Sequence, residues 1–549
     1  MVLIAVPNVE RRMSLEQVQG VQANPYAKPC DGGMGGMGER KRLAVNMVAN
    51  VLAFGVQFGV SFVLTPYIIR TLGSEAYGFV PLANNFIGYT NIITVALNSM
   101  ASRFISIEVN RGDYKKANTY FNSVLVANTI LALVLLVPAV LLILYVNDVL
   151  NVPAGLVGDV QLTFMFSFIG LLGGLVLSVF GCVFFVRNRL DLNARRGIEG
   201  NVIRAVVLIA LFSLFQPKVY YVTATMLIVN VWIWSTNVYY TRKLLPELKL
   251  ERGRFSWPAV KELLSSGVWN SVNELSIVLL TTLDLLLMNV FVGAQAAGEY
   301  SLVKILPTFI QQIVGVLVSV FIPQFTIYYA KQQHDKLMDS IMFSVKVMGA
   351  LLTIPIGYLI VFGADFYRVW VPGQDANLLQ GLSVLTLIPM VVTGSINTIY
   401  NVYTVTNKLR TPALVWVVLG VVNVLMVIGL LKFTPLGIWT IPVVALVMGL
   451  ARNLTFTPVY AAYCLEVPWY TFYKSIARGC LCVSSVLAIS VAYRTVVHVP
   501  TGWTGLIVAA AVCGSLALCV NMFIAFDKAD RSEFVALVRA KVGKKLSRR

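Results

Sequence analysis

Long apolar runs separated by short polar segments organise this chain. They lie near 44–69, 77–100, 121–146, 161–186, 201–215, 219–240, 265–292, 296–322, 341–362, 378–402, 412–431, 436–463, 477–498 and 502–526. Most reach the roughly 20 residues a helix needs to cross about 30 Å of hydrocarbon. They are continuous, unlike the ~10-residue alternating strands of a membrane barrel. The pattern predicts an all-α integral membrane protein with about 14 transmembrane helices. No connection is large enough for an extramembrane catalytic domain.

Composition narrows the class. The 549 residues are 58% hydrophobic and only 12% charged, against roughly 25% charged in soluble domains. This excludes a cytosolic or secreted enzyme and a disordered scaffold. The net charge of +18 does not imply nucleic acid, because the basic residues sort by face. With the N-terminus in the cytoplasm, 34 Lys and Arg fall in cytoplasmic segments and 5 in outer loops. That asymmetry predicts a multi-pass cell-membrane protein with both termini cytoplasmic. Seven cysteines without a C-x-x-C pair and two histidines predict no metal, disulfide framework or bound cofactor.

A shift of 220 residues lays the first half on the second. Leu72-Gly73-Ser74-Glu75-Ala76-Tyr77-Gly78 falls on Val292-Gly293-Ala294-Gln295-Ala296-Ala297-Gly298, and Asn50 falls on Asn270. Both halves start on the same side, so the repeats are parallel, with a pseudo-twofold axis along the membrane normal. The expected organisation is a flexible tail (1–43), an N-lobe (44–240), a linker with an amphipathic surface helix at 256–264 (241–264), a C-lobe (265–463), two further helices (464–526) and a basic tail (527–549) whose segment 531–549 suits anionic headgroups.

Polar residues form stripes on four spans. Span 1 carries Asn46, Asn50, Gln57 and Ser61; span 2 carries Asn84, Asn91 and Asn98. Span 7 carries Asn270, Asn273, Glu274, Thr281 and Asp284, and span 8 carries Tyr300, Lys304, Thr308 and Gln311. Such groups avoid lipid and face protein or a water-filled cavity. Hydrogen bonding between packed helices accounts for them equally well one by one. Their clustering on spans that the repeat makes equivalent favours a shared cavity. Asp284 and Lys304 stand at equal offsets from the hairpin joining spans 7 and 8, so a pair at one depth is expected. Either it fixes the hairpin, or Lys304 attracts an anion and Asp284 or Glu274 carries a coupling proton or sodium ion. Arg204 and Lys346 lie near the cytoplasmic ends of their apolar segments and are expected to snorkel. Arg452 lies deeper.

The stretch Pro66-Tyr67-Ile68-Ile69-Arg70-Thr71-Leu72-Gly73-Ser74-Glu75-Ala76-Tyr77-Gly78 resembles the end of the first helix and the following turn in bacterial polysaccharide transporters. These include the O-antigen flippases of the multidrug/oligosaccharidyl-lipid/polysaccharide flippase superfamily. Asp284 to Tyr300 and the helix at 256–264 are similar to the same pattern. The resemblance implies two six-helix lobes in a V, like those of multidrug extrusion transporters, with spans 1, 2, 7 and 8 lining the cleft and two C-terminal helices as an extension. It implies a lipid-linked glycan, carried on undecaprenyl diphosphate, moved from inner to outer leaflet by alternating access, with polysaccharide assembly proteins as partners. The residues suited to binding it are Lys304, Arg70, Arg452, Asn50, Gln57, Asn84, Asn91, Asn270, Tyr300 and Gln311. An ion-coupled drug or cation antiporter on the same fold, and a membrane glycosyltransferase or polymerase, are the competing readings. The first would leave acidic cleft residues without a compensating cation. The second would need a large outer loop or a carboxylate motif near the membrane face.

Overall fold

The computed structural model describes residues 39–251, 253–497, 502–527 and 531. Most of the N-terminal tail and nearly all of the amphipathic segment 531–549 therefore lie outside the described residues. The rest is helical. In chain order the helices are α1 (Glu39–Arg111), α2 (Tyr114–Leu144), α3 (Ala154–Val186), α4 (Leu190–Leu214), α5 (Tyr220–Leu244), α6 (Trp257–Thr282) and α7 (Asp284–Phe291). They continue as α8 (Ala294–Ala330), α9 (His334–Trp370), α10 (Ala376–Val405), α11 (Arg410–Phe433), α12 (Gly437–Leu465), α13 (Tyr473–Val496) and α14 (Trp503–Ala525).

Eleven helices among the described residues are long and apolar enough to cross a membrane, or twelve when α6 and α7 count as one bent span. Two features separate that number from the fourteen expected. α1 runs through two apolar segments with a break at Gly73, whose φ is 85°. A hydrogen bond joins Tyr77 to Thr65. Twelve residues of straight helix would separate them by about 18 Å, so α1 folds back on itself at Gly73. α5 is a full-length helix, but it carries Thr223, Thr225, Asn230, Ser235, Thr236 and Asn237 and falls outside the apolar set.

The repeat is visible in the backbone. Gly293, the counterpart of Gly73, turns the chain between α7 and α8 with φ 128°. These are conformations that only glycine adopts without strain. The next pair, Gly78 and Gly298, brings the second limb of α1 against α8. A Cβ on Gly78 would stand 2.7 Å from the Cα of Gly298, and one on Gly298 would overlap the carbonyl of Ser74. The absence of side chains lets the two backbones touch.

At the other face, an extended strap joins the halves. Asn118 and Asn122, one turn apart on α2, act on it as the edge of a strand would. Asn118 donates to the Glu247 carbonyl at 2.7 Å and accepts from the Lys249 N–H at 2.8 Å. Asn122 donates to the Lys249 carbonyl at 2.9 Å and accepts from the Glu251 N–H at 3.0 Å. The Ser256 side chain then caps α6 by accepting from the Ala259 N–H. The amphipathic helix expected at 256–264 is the opening of α6 rather than a separate surface element. Its Val260 and Leu263 are buried against α2 and neighbouring helices, because a protein groove covers them better than the bilayer interface would.

α13 and α14 pack on α9. Trp503 of α14 also joins Phe62, Phe366 and Trp370 in an aromatic cluster. Trp370 donates its indole N–H to the Phe62 carbonyl at 3.0 Å, which ties the first limb of α1 to the second half.

Candidate functional site

The span expected at 265–292 is broken. α6 ends in a π-turn over Val278–Thr282, and α7 leaves it at 40°. A break frees backbone carbonyls that lipid cannot satisfy, so such backbone is tolerated only inside protein. Here side chains from three other helices satisfy it. Asn423 of α11 donates to the Leu279 carbonyl at 3.1 Å, and Lys304 of α8 donates to that of Thr281. Asn85 and Tyr89 of α1 both donate to Thr282, at 2.8 and 3.3 Å.

Asp284 opens α7 and is buried, 6% exposed. Its carboxylate stands 3.5 Å from the Lys304 ammonium, and Tyr300 turns its hydroxyl to the same carboxylate. The lysine also lies 6.0 Å from the centre of the Tyr300 ring. The pair expected from equal offsets is therefore present, anchored to the break.

A cavity of about 440 Å³, with polar groups set in a mostly apolar wall, lies between the second limb of α1, α3 and α6. Asn91, Thr94, Asn98, Ser178 and Glu274 line it, together with Gly170 and Gly174, one turn apart on α3; a Cβ on either glycine would point at Asn230 or Trp234 of α5. A second cavity of about 140 Å³ shares Gly170 and Leu171 and adds Asn84, Ser167, Thr223 and Asn230. Asn98 is occupied as an acceptor, taking hydrogen bonds from Asn128 at 2.8 Å and Ser178 at 3.1 Å. Asn84 and Asn91 are exposed, and their amides make no hydrogen bond among the described residues. Glu274 has no ion pair among them either.

The other expected residues divide. Asn270 donates to Ser99 at 2.9 Å, joining α6 to α1. Asn46, on the same stripe as Asn50 and Gln57, accepts from the Asp191 N–H and donates to Asn188. Asn50, Gln57 and Gln311 are exposed without such partners. Arg70 is exposed three residues before the Gly73 turn, away from the cavity walls. Arg452 sits in a π-turn of α12 with its guanidinium 5.9 Å from the Trp416 ring. It lines neither cavity. The structure thus gathers Asn84, Asn91 and Glu274 at the cavities and Asp284, Tyr300 and Lys304 at the break.

The snorkelling expected of Arg204 is corrected. α4 begins at Leu190, and Arg204 lies ten residues, about 15 Å, from its Leu214 end. Its electrostatic neighbour is Tyr77, four residues from the Gly73 turn. It therefore lies toward the face opposite the one expected. Lys346 is in an ion pair with Asp527 at 3.1 Å, which Arg478 shares at 2.6 Å. Hydrogen bonds from Arg478 and Lys346 hold the Asp527 carboxyl well below the usual carboxylate range.

Sequence reading missed Asn85, Tyr89, Asn423 and Asn230. Asn85 and Tyr89 stand one turn apart, beside rather than on the Asn84 stripe. Asn423 is a lone amide inside an apolar run. Each was detectable as an intramembrane polar residue.

A family model described as polysaccharide biosynthesis protein matches residues 43–329. The Bacillus subtilis (strain 168) protein named "Uncharacterized membrane protein EpsK" is 31% identical over 435 residues, 79% of this chain and 86% of that protein. The solved "Lipid II flippase MurJ, inward closed conformation" superposes with a TM-score of 0.62 at 12% identity, over 88% of this chain and 98% of that one. An inward-facing multidrug resistance transporter of the MATE family, MOP superfamily, gives 0.51 at 16% identity, over 77% and 97%. At these identities the structural likenesses establish the fold.

Proposed function

The chain belongs to the polysaccharide biosynthesis protein family, and from that premise we propose that it is a flippase for an undecaprenyl-diphosphate-linked oligosaccharide. It is a multi-pass membrane protein whose fold is that of flippases and multidrug transporters. The observation that carries the reading is the group of amides set in the otherwise largely apolar walls of the two cavities. Asn84 and Asn91 present free donors and acceptors, the chemistry that sugar hydroxyls require. An apolar drug needs no such lining.

In this reading the glycan enters the cavity and the two halves rock about it to move the cargo from inner to outer leaflet. The broken span supplies a bend at which α6 and α7 change angle. Lys304 of α8, which reaches that bend, meets the diphosphate when it leaves Asp284, with Arg70 and Arg452 as further cationic stations. Tyr300 and Gln311 on α8, and Asn50, Gln57 and Asn270, serve the same path. Coupling to a proton or sodium ion falls to Glu274, because Asp284 already has a counter-charge.

One observation favours a second reading. Among the described residues Glu274 is a cavity carboxylate without a cation, as a drug or cation antiporter on this fold would have. The deciding experiment is translocation of a fluorescent undecaprenyl-diphosphate-linked oligosaccharide in proteoliposomes, with cationic dyes as comparison. Movement of the lipid-linked glycan is expected; movement of dyes alone would overturn the proposal. The orientation has its own test. A cysteine at Gly155 is expected to react with an impermeant reagent in intact cells, and one at Gly253 is not. The reverse pattern would invert the direction of transport.

A further inference from the structure

We infer that the cavity between α1, α3 and α6 selects glycans free of acidic sugars. The inference rests on the flippase reading and names the cargo class of that same site.

The walls of the two cavities carry amides from Asn84, Asn91, Asn98 and Asn230, hydroxyls from Thr94, Ser167, Ser178 and Thr223, and one carboxyl from Glu274. Among the described residues no Lys or Arg lines either one. Arg103, five residues beyond Asn98, is not part of the wall, and Lys304 is held at the break by Asp284 and Thr281. Asn84 and Asn91, whose amides make no hydrogen bond among the described residues, each offer both a donor and an acceptor, and so pair with the hydroxyls of neutral sugars. A uronic acid brings a carboxylate instead. In this lining it finds no counter-charge, and a buried charge without one is costly. It also meets Glu274, and whenever that carboxyl is without its coupling proton the two like charges repel. An N-acetylated or plain hexose incurs neither penalty. The cavity also lacks the means to hold the diphosphate, so that group is carried outside it.

The test uses two undecaprenyl-diphosphate-linked disaccharides, identical except that one neutral hexose is replaced by the corresponding hexuronic acid. Full-length protein in proteoliposomes is expected to move the neutral probe at least about tenfold faster. Asn91→Lys, at an exposed wall position, is expected to raise uronate transport and close most of that gap. Equal rates for both probes in the unmodified protein would overturn the inference while leaving the flippase reading intact. Transport of neither probe would overturn the reading. In that case saturation-transfer NMR with the two disaccharides freed of lipid decides the selectivity separately. Preferential binding of the neutral sugar, lessened in Glu274→Gln, supports the inference; equal binding rejects it.

Discussion

Replacing Lys304 with methionine tests whether the charge pair at the break is a structural unit. The substitution removes the ammonium that stands 3.5 Å from Asp284 and donates to the Thr281 carbonyl. Asp284, 6% exposed, keeps only the Tyr300 hydroxyl. Breaking a buried pair from one side costs about 3–5 kcal/mol. The lysine side chain is 26% exposed, so water screens part of this, and a loss of about 2–3 kcal/mol is expected. Asp284→Asn leaves the ammonium with its carbonyl and some solvent, at about 1–2 kcal/mol. The double change Asp284→Asn with Lys304→Met removes both charges, and what remains is the orphaned Thr281 carbonyl, about 1 kcal/mol. The double variant should therefore be more stable than Lys304→Met alone, with a coupling energy of about 2–4 kcal/mol. Equilibrium unfolding in mixed detergent micelles measures this, with size-exclusion profiles checking each variant before denaturation. Additive losses would refute the reasoning. Transport by the same proteins separates the roles of the lysine. A double variant that is stable but inactive supports a cargo contact for Lys304, and one that transports normally assigns the pair to structure alone.

Three further outcomes follow from other contacts. Gly298→Ala forces a Cβ into the Ser74 carbonyl and should cost about 2 kcal/mol in the same unfolding assay; an unchanged midpoint would mean that α1 and α8 do not touch there. Asn118→Ala with Asn122→Ala removes four hydrogen bonds from the strap and should expose residues 247–251 to limited proteolysis, whereas an unchanged cleavage pattern argues against the docking. Asp527 has a lowered folded-state pKa, so its stabilisation is present above the ordinary aspartate range, about 3.9, and is lost as pH falls below it. A nitroxide at Phe523→Cys should keep its neutral-pH mobility as the pH drops through about 4 and gain mobility only well below it, where Asp527 is protonated in the folded protein, and Asp527→Asn should give the mobile spectrum at neutral pH.

Much of the fold was legible because lipid imposes a simple demand. Each span must satisfy its own backbone and show apolar side chains over its full length, and such runs stand out in any sequence. The Asp284–Lys304 pair was legible for a related reason, since a tight hairpin converts equal sequence offsets into equal depth. The break beside it was not. Val278-Leu279-Leu280-Thr281-Thr282 contains neither proline nor glycine, and the π-turn depends on donors supplied from α1, α8 and α11. The stripes gave faces but not what the faces meet. Asn46 and Asn91 occupy similar positions in their patterns, yet one staples a loop and the other opens on a cavity. Arg204 was misplaced because the apolar run starts at 201 while the helix starts at Leu190. Polar residues bearing the ion pairs Arg195–Glu199 and Arg196–Glu199 extend that helix without lengthening its apolar signature.

The contact between Gly78 and Gly298 bears on how such a chain originates. Two positions related by a twofold operation touch each other only where the operation leaves space unmoved, so this crossing marks the pseudo-axis. In a dimer of two identical half-length chains, the arrangement that a parallel repeat points back to, it would have been one glycine meeting its own copy. A methyl group added there would have been added on both sides at once, with twice the steric penalty. After fusion the two positions are free to change separately, and a single side chain on one is opposed by a bare backbone on the other. The joined chain thus has a route to asymmetry at its centre that the paired ancestor lacked, and a carrier whose cargo is itself asymmetric has use for one.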